Sequence, residues 1–351
     1  MRKRTASLSL DMDNAWAYLK AHGDSGWRAY PSYLPVFVPI ALDFFAQHDL
    51  KITFMAVGQD VVRETNYEGL RQIVAAGHEI GNHSFNHEAW MQSYGEEQVV
   101  EEISNTDQAI TEVTGRRPMG FRGPGYACSE TILVVLQRLG YQYDSSLLPS
   151  ILNPIARFYY LWGTKMSEEE KRRRRDLFGH FRDALAPLRP FEWRTPAGNM
   201  LEIPITTMPC FRVPFHLSYL LWLSRFSRSG ALLYLRLGLF MCRLRSIEPS
   251  YLMHPLDFLG AEDAPELAFF PGMDLSRRYK LEFAERFLKE FQRHFAIVSI
   301  CEHVRRLRVS NRLKEVESAG LRNGRLPVLS HGGGNDMTAP DPSGNTFWNH
   351  R

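Results

Sequence analysis

The chain has 351 residues, 42 Lys and Arg against 39 Asp and Glu, a net charge of +3, and four cysteines at positions 128, 210, 242 and 301. That length allows one α/β domain with insertions or two smaller domains, and the near-balanced charge gives no ground for nucleic-acid binding. There is no CxxC pair to suggest a disulfide framework or a cysteine zinc site, and no apolar run long enough to span a bilayer without charges.

Met1 to Arg4 lead at once into a strand-like pattern, where a secretion signal needs a longer apolar stretch and a small-residue cleavage site; the expectation is a protein that stays in the cytoplasm. Residues 5–13 alternate, with Leu8, Leu10 and Met12 on one side and Ser7, Ser9, Asp11 and Asp13 on the other. Two carboxylates emerging together repel unless a cation or a shared proton stabilises them, so Asp11 and Asp13 read as part of a metal site or, alternatively, as a polar strand end with a helix cap. Asn14 to Pro35 reads as a long connection whose aromatics, Trp16, Tyr18, Trp27, Tyr30 and Tyr33, cover a barrel mouth or stack on a sugar.

Val36 to His48 predicts an amphipathic helix and Ile52 to Gly58 a buried strand. The alternation continues with helices over 60–76, 95–114, 129–139 and 276–293. Strands are expected over 79–84, 119–122, 141–144, 200–205, 251–254 and 295–300. Repeated strand and helix units predict a parallel sheet, most simply a barrel.

Within the third of these strands and just beyond it stands Gly77-His78-Glu79-Ile80-Gly81-Asn82-His83-Ser84-Phe85-Asn86-His87. If the chain turns helically there, His83 and His87 share a face and can reach one ion; on spacing alone they read equally well as two surface side chains. Their placement decides between these. Asp11, Asp13, His83, His87, Arg122, Asp144 and His254 each fall at or just past the C-terminal end of a predicted strand, and in a β/α barrel those ends meet at one mouth. Taken singly, Arg122 reads as an ion-pair residue, His254 as a capped strand end, and Asp144 as a structural hydrogen bond to a neighbouring strand.

These stretches resemble the motifs of the polysaccharide deacetylase family, the NodB-homology or carbohydrate esterase family 4 group. The matching residues are Leu10-Asp11-Met12-Asp13-Asn14, His83-Ser84-Phe85-Asn86-His87, Arg122-Gly123-Pro124, Asp144-Ser145-Ser146 and Leu252-Met253-His254. The resemblance runs from about Thr5 to His303 and implies a distorted (β/α)7-type barrel over 1–307 that removes an N-acyl group from an amino sugar. By position, Asp13, His83 and His87 look like metal ligands, Asp11 like the general base, Arg122 like the residue that orients it, and His254 like the general acid. Met12 separates two aspartates that are adjacent in many members, which leaves the roles of Asp11 and Asp13 open to exchange.

The chemistry of amide hydrolysis asks for the same parts. Two imidazoles and a carboxylate suit zinc first, and iron, cobalt or manganese as well. A base beside them takes a proton from water, an imidazolium opposite gives one to nitrogen, and a backbone N–H of Gly125 or Tyr126 serves the oxyanion.

Two helical insertions exceed what a barrel needs, at about 147–199 and 208–249. The first carries Phe158 to Trp162 and a charge run from Glu168 to Arg175. The second, over 211–245, mixes large apolar residues with Arg212, Arg225, Arg228, Arg236, Arg243 and Arg245 and almost no acids. That composition fits helices lying in a membrane interface, with a helical lid or a dimer surface as the alternative. It leads to an expected amino-sugar substrate on a lipid carrier, met by a cytoplasmic enzyme peripheral to the inner membrane face. The competing expectations are a deformylase or hydrolase of a soluble cyclic amide, and an inactive sugar- or lipid-binding barrel. Residues 308–351 turn to Gly, Asn, Asp and Pro and predict a disordered tail.

Overall fold

The computed structural model describes residues 3–152, 185–310 and 313–323. Seven parallel strands form the wall: β1 (Arg4–Asp11), β2 (Thr53–Ala56), β3 (Glu79–Asn82), β4 (Gly120–Phe121), β5 (Tyr143–Asp144), β7 (Gly198–Glu202) and β8 (Ser250–Met253). From β1 to β7 each pairs with the next in that order, β8 pairs with β1, and a single parallel bridge from Ile205 to Ser250 joins the β7 side to β8. The result is the expected distorted barrel, closed on one side by one bridge. β6 (Phe191–Thr195) makes an antiparallel hairpin with β7, and β9 (Phe295–Val298) lies beside the start of β1.

Helices cover the outside: α1 (Ala15–His22), α2 (Leu34–Gln47), α3 (Gly58–Val61), α4 (Glu64–Ala75), α5 (Glu96–Thr114), α6 (Glu130–Arg138), α7 (Leu217–Ser224), α8 (Arg228–Leu244), α9 (Arg277–His294) and α10 (Ile300–Ser310). The two-residue period of β1 sorts its side chains. Ala6, Leu8, Leu10 and Met12 enter the main core with Phe37, Phe45, Leu239 and Phe287, while Ser9 and Asp11 reach across to Arg122 beyond β4 and so point into the barrel.

Two expectations are corrected, the second insertion is helical as expected, and two strands are added. The connection 14–35 is not irregular: Asn14 caps α1 through its side chain, and a 3-10 turn follows at Ser25–Ala29. The 208–249 insertion is a helical hairpin, α7 and α8, whose Leu217, Leu220, Leu235 and Leu239 belong to the core. The tail does not begin at 308, because α10 runs to Ser310 and β10 (Lys314–Glu317) pairs in parallel with β6. β6 and β10 are edge strands that the sequence reading omitted. The aromatic and charged runs of the first insertion, 158–162 and 168–175, lie outside the described residues, as does the tail from 324 onward.

Candidate active site

The strand ends converge as their register requires. Ala56 lies opposite Asn82, Asn82 opposite Phe121, Phe121 opposite Asp144, and Leu10 opposite Met253, so the residues one step further on share a single mouth. The histidine pair is not helical. Ser84 and His87 both adopt left-handed backbone, with φ of 61° and 52°, and the loop between them is held from below. Glu102 on α5 accepts the backbone N–H groups of Phe85 (2.8 Å) and Asn86 (2.9 Å) and the Asn86 side-chain amide (2.6 Å). Asn82 Oδ1 accepts Ser84 N–H at 2.9 Å, while the Gly58 and Gln59 amides donate to the carbonyls of Ser84 and Phe85. Gly58 is required there, since a Cβ would stand 2.4 Å from the Phe85 ring.

This loop brings both imidazoles to one carboxylate. Asp13 Oδ1 lies 3.0 Å from His87 Nε2 and 3.3 Å from His83 Nε2. Ligands about 2.1 Å from a common ion stand about 3.0–3.4 Å from one another, so the three donor atoms have the spacing of a coordination edge. His83 Nδ1 is 2.6 Å from the Arg122 carbonyl; as donor to it, this nitrogen leaves Nε2 as the lone-pair atom facing Asp13. Burial raises the Asp13 carboxyl, but His87 and His83 outweigh it and hold it well below the usual carboxylate range. Burial lowers His83, and Asp11 and Asp13 outweigh that to raise it. The same charges favour a cation at this point. The residues fit a divalent metal.

Asp11 does not join that set. Its Oδ1 is 2.6 Å from Arg122 Nη1, and its Oδ2 is 3.9 Å from His83 Nε2. Arg122 is fully buried and makes four side-chain hydrogen bonds in all: Nη1 also donates to Ser9 Oγ (2.8 Å), Nε to the Ser145 carbonyl (2.8 Å) and Nη2 to Ser145 Oγ (2.9 Å). His254 follows β8, beside the end of β1, and its backbone N–H is capped by Asp257 at 2.9 Å. Gly125 and Tyr126 take successive left-handed conformations, φ of 57° and 66°. Tyr126 N–H is already donated to the Gly123 carbonyl at 3.1 Å, which leaves Gly125 as the better of the two oxyanion donors.

Asp144 is buried and stands apart from these groups, bonded to Ser146 Oγ (2.5 Å) and paired with Glu202 across β5 and β7. Burial and then the charge of Asp144 push Glu202 well above the carboxylate range, so the two carboxyl groups hold a proton between them. Sequence reasoning did not single out Glu102, Asp60, Ser145 or Glu202. Glu102 had a signal: it falls on the apolar stripe Val99-Ile103-Ile110-Val113 of α5, where a carboxylate needs a partner. Asp60 is likewise buried, and burial pushes its carboxyl up to about 6.

Residues 24–143 match the family model described as polysaccharide deacetylase. Over those residues the chain resembles the polysaccharide deacetylases. The matched stretch holds His83, His87 and Arg122. A peptidoglycan deacetylase of Helicobacter pylori is 31% identical over 119 residues, 33% of this chain and 39% of that protein. A peptidoglycan-N-acetylglucosamine deacetylase of Bacillus cereus is 30% identical over 108 residues, 31% of this chain and 49% of that protein. The chain thus spans less than half of either curated relative. A solved Mycobacterium smegmatis structure assigned to the polysaccharide deacetylases superposes with a TM-score of 0.54 at 17% identity, covering 89% of this chain and 93% of that one, a likeness of fold.

Proposed function

We propose that the protein hydrolyses an N-acyl group, most simply acetyl, from an amino sugar. The observation that carries this reading is the division of labour among three neighbouring groups: Asp13, His83 and His87 gather three ligand atoms, while Asp11 stands beside them, bonded to Arg122 instead. A divalent cation held by that triad, zinc as first choice, supplies a Lewis acid for the acyl oxygen. Asp11 accepts the proton of the attacking water, and Arg122 fixes the direction of the carboxylate through its bonds to Ser9 and Ser145. Gly125 N–H offers a hydrogen bond to the developing oxyanion. His254, reaching the mouth from β8, donates a proton to the departing amine.

The carrier of the sugar is read from the α7–α8 hairpin. Leu233, Leu237, Phe240 and Leu244 form one stripe along α8, exposed to between 46% and 72%, and Trp222 on α7 and Phe226 just after it are exposed as well. An apolar stripe of this kind suits a lipid interface. Its arginines contribute less than their number suggests. Arg225 pairs with Asp274, Arg236 with Glu290 and Arg228 with Glu282. No helix among the described residues is long and apolar enough to cross a membrane. The reading is therefore a peripheral enzyme acting on a lipid-linked amino sugar at the cytoplasmic membrane face.

The test is mass spectrometry of lipid-linked sugars incubated with zinc-loaded protein, beside Asp11→Asn and His254→Ala. Loss of an acetyl or formyl mass with the unaltered protein alone supports the reading. Turnover of soluble N-acyl sugars or cyclic amides instead removes the lipid, and metal binding without turnover of any amide leaves a binding barrel.

A further inference from the structure

Three carboxylates lie on the β1–β2 side of the imidazoles, and their charges do not balance. Asp11 is neutralised by Arg122 at 2.6 Å. Among the described residues the Asp13 carboxylate pairs with the two histidines. Asp60, in α3, is 2% exposed and has no ion-pair contact among the described residues; Arg63, one turn on, bonds instead to the Gln59 carbonyl and stacks on Tyr30 at 3.6 Å.

The bonds that Asp60 does make lead to the metal triad. Its Oδ1 accepts Asn14 Nδ2 at 2.7 Å and Trp16 Nε1 at 2.9 Å. Asn14 directly follows Asp13 and also receives the Tyr33 backbone N–H, and the Tyr33 hydroxyl donates to the Asp13 carbonyl. Trp16 sets its ring edge-on to His87 at 6.3 Å. The Gly58 and Gln59 amides beside Asp60 bond to the histidine loop itself. Asp60 Oδ2, in contrast, has no hydrogen-bond partner among the described residues. Glu102, the other buried acid under this loop, is satisfied by three N–H donors. A buried carboxylate with two neutral donors on one oxygen and none on the other is costly unless a further charge compensates it.

We propose that Asp60 is the outer charge of the metal centre: it ligates nothing, but with Asp13 it leaves two uncompensated negative charges beside the imidazoles, which selects a divalent cation and strengthens its binding. The inference rests on Asp13, His83 and His87 being a metal site. A bound dication is the largest charge in such a neighbourhood, and outer carboxylates that orient or balance ligands typically govern 10–100-fold in affinity.

The experiment is Zn2+ binding by the full chain, measured by competition with a chromophoric chelator, together with the thermal midpoint of the metal-stripped protein. Asp60→Asn keeps an acceptor for Asn14 and Trp16 and removes the charge. It is expected to raise the Zn2+ dissociation constant by about 10–100-fold while the stripped protein melts close to the unaltered one. Trp16→Phe keeps the charge, loses one bond to it, and is expected to leave affinity within a few-fold. An unchanged dissociation constant in Asp60→Asn, or an equal weakening in Trp16→Phe, overturns the proposal. If the unaltered protein binds no Zn2+, it is the metal reading itself that fails, and the two failures are told apart in one titration series.

Discussion

Arg122 Nη1 stands 2.6 Å from Asp11 Oδ1 in the barrel interior, and Arg122 has no exposed surface. β1 and β4 are not sheet neighbours, so this contact ties opposite walls and fixes the carboxylate next to the imidazoles at the same time. Such a pair binds fold and site together, because either partner alone is an uncompensated buried charge.

Arg122→Ala is therefore expected to destabilise the protein by about 3–5 kcal/mol, the usual cost of orphaning a buried partner. Asp11→Asn keeps an acceptor for Arg122 and is expected to be destabilised less than Arg122→Ala while losing about 10²–10⁴-fold in turnover, the ordinary contribution of a positioned base. Denaturant unfolding of both variants beside a deacylation assay separates the effects. Full activity in a folded Asp11→Asn would remove Asp11 from the role of base.

Two buried histidines set the acid limit of stability. Burial, with Lys51 nearby, lowers His78 to about 4, and burial, with the charges of His254 and Arg122, lowers His216 to about 3. A depressed folded value means that the unfolded chain takes up protons first. This stabilisation is complete above the unfolded histidine value of about 6.5 and is lost as pH falls toward 4 and then 3. His216→Gln should give a shallower fall of the thermal midpoint between pH 6.5 and 4, read by scanning fluorimetry. An unaltered slope would exclude His216 as a contributor.

The parts legible in the sequence are those decided locally. Each site strand is a short apolar run ended by a polar residue, so Asp11, Arg122 and His254 could be placed at one mouth from period and order alone. The conformation of the His83–His87 loop is not legible from spacing, because its left-handed residues depend on Glu102, fifteen residues beyond His87 and on another element. Asp60 and Glu202 gain meaning only through Trp16, Asn14, Trp193 and Asp144, which the fold brings to them. The hairpin arginines looked unopposed because Glu282 and Glu290, which meet Arg228 and Arg236, come from α9.

The Asp144–Glu202 pair predicts the opposite pH trend from the histidines. Burial and the neighbouring carboxylate raise Glu202 well above its ordinary 4.5, so the folded state holds a proton that the unfolded state has released. Its contribution is complete below about 4.5 and is lost as pH rises through the folded value. Glu202→Gln keeps a donor for Asp144 without a titration. The variant should gain in thermal midpoint relative to the unaltered protein as pH increases from 5 to 9, with the difference closing at the acid end. A constant difference across that range would mean the pair does not share a proton.

The exposed stripe on α8 separates docking from folding. Leu237 and Phe240 lie on the solvent side, while Leu235 and Leu239 of the same helix are in the core. Charge on the outer positions therefore leaves packing intact, and Leu237→Glu with Phe240→Glu is expected to change stability by no more than about 0.5 kcal/mol per site. The same pair should abolish sedimentation with vesicles and lower turnover of a lipid-linked substrate, leaving a short soluble N-acyl substrate untouched. Arg243→Glu should weaken binding to anionic vesicles alone, since its Nη1 meets His294 rather than a carboxylate. Retained vesicle binding in the double variant would assign this face to another chain, and a concentration-dependent change in molecular mass that the double variant lacks would identify that chain as a second copy.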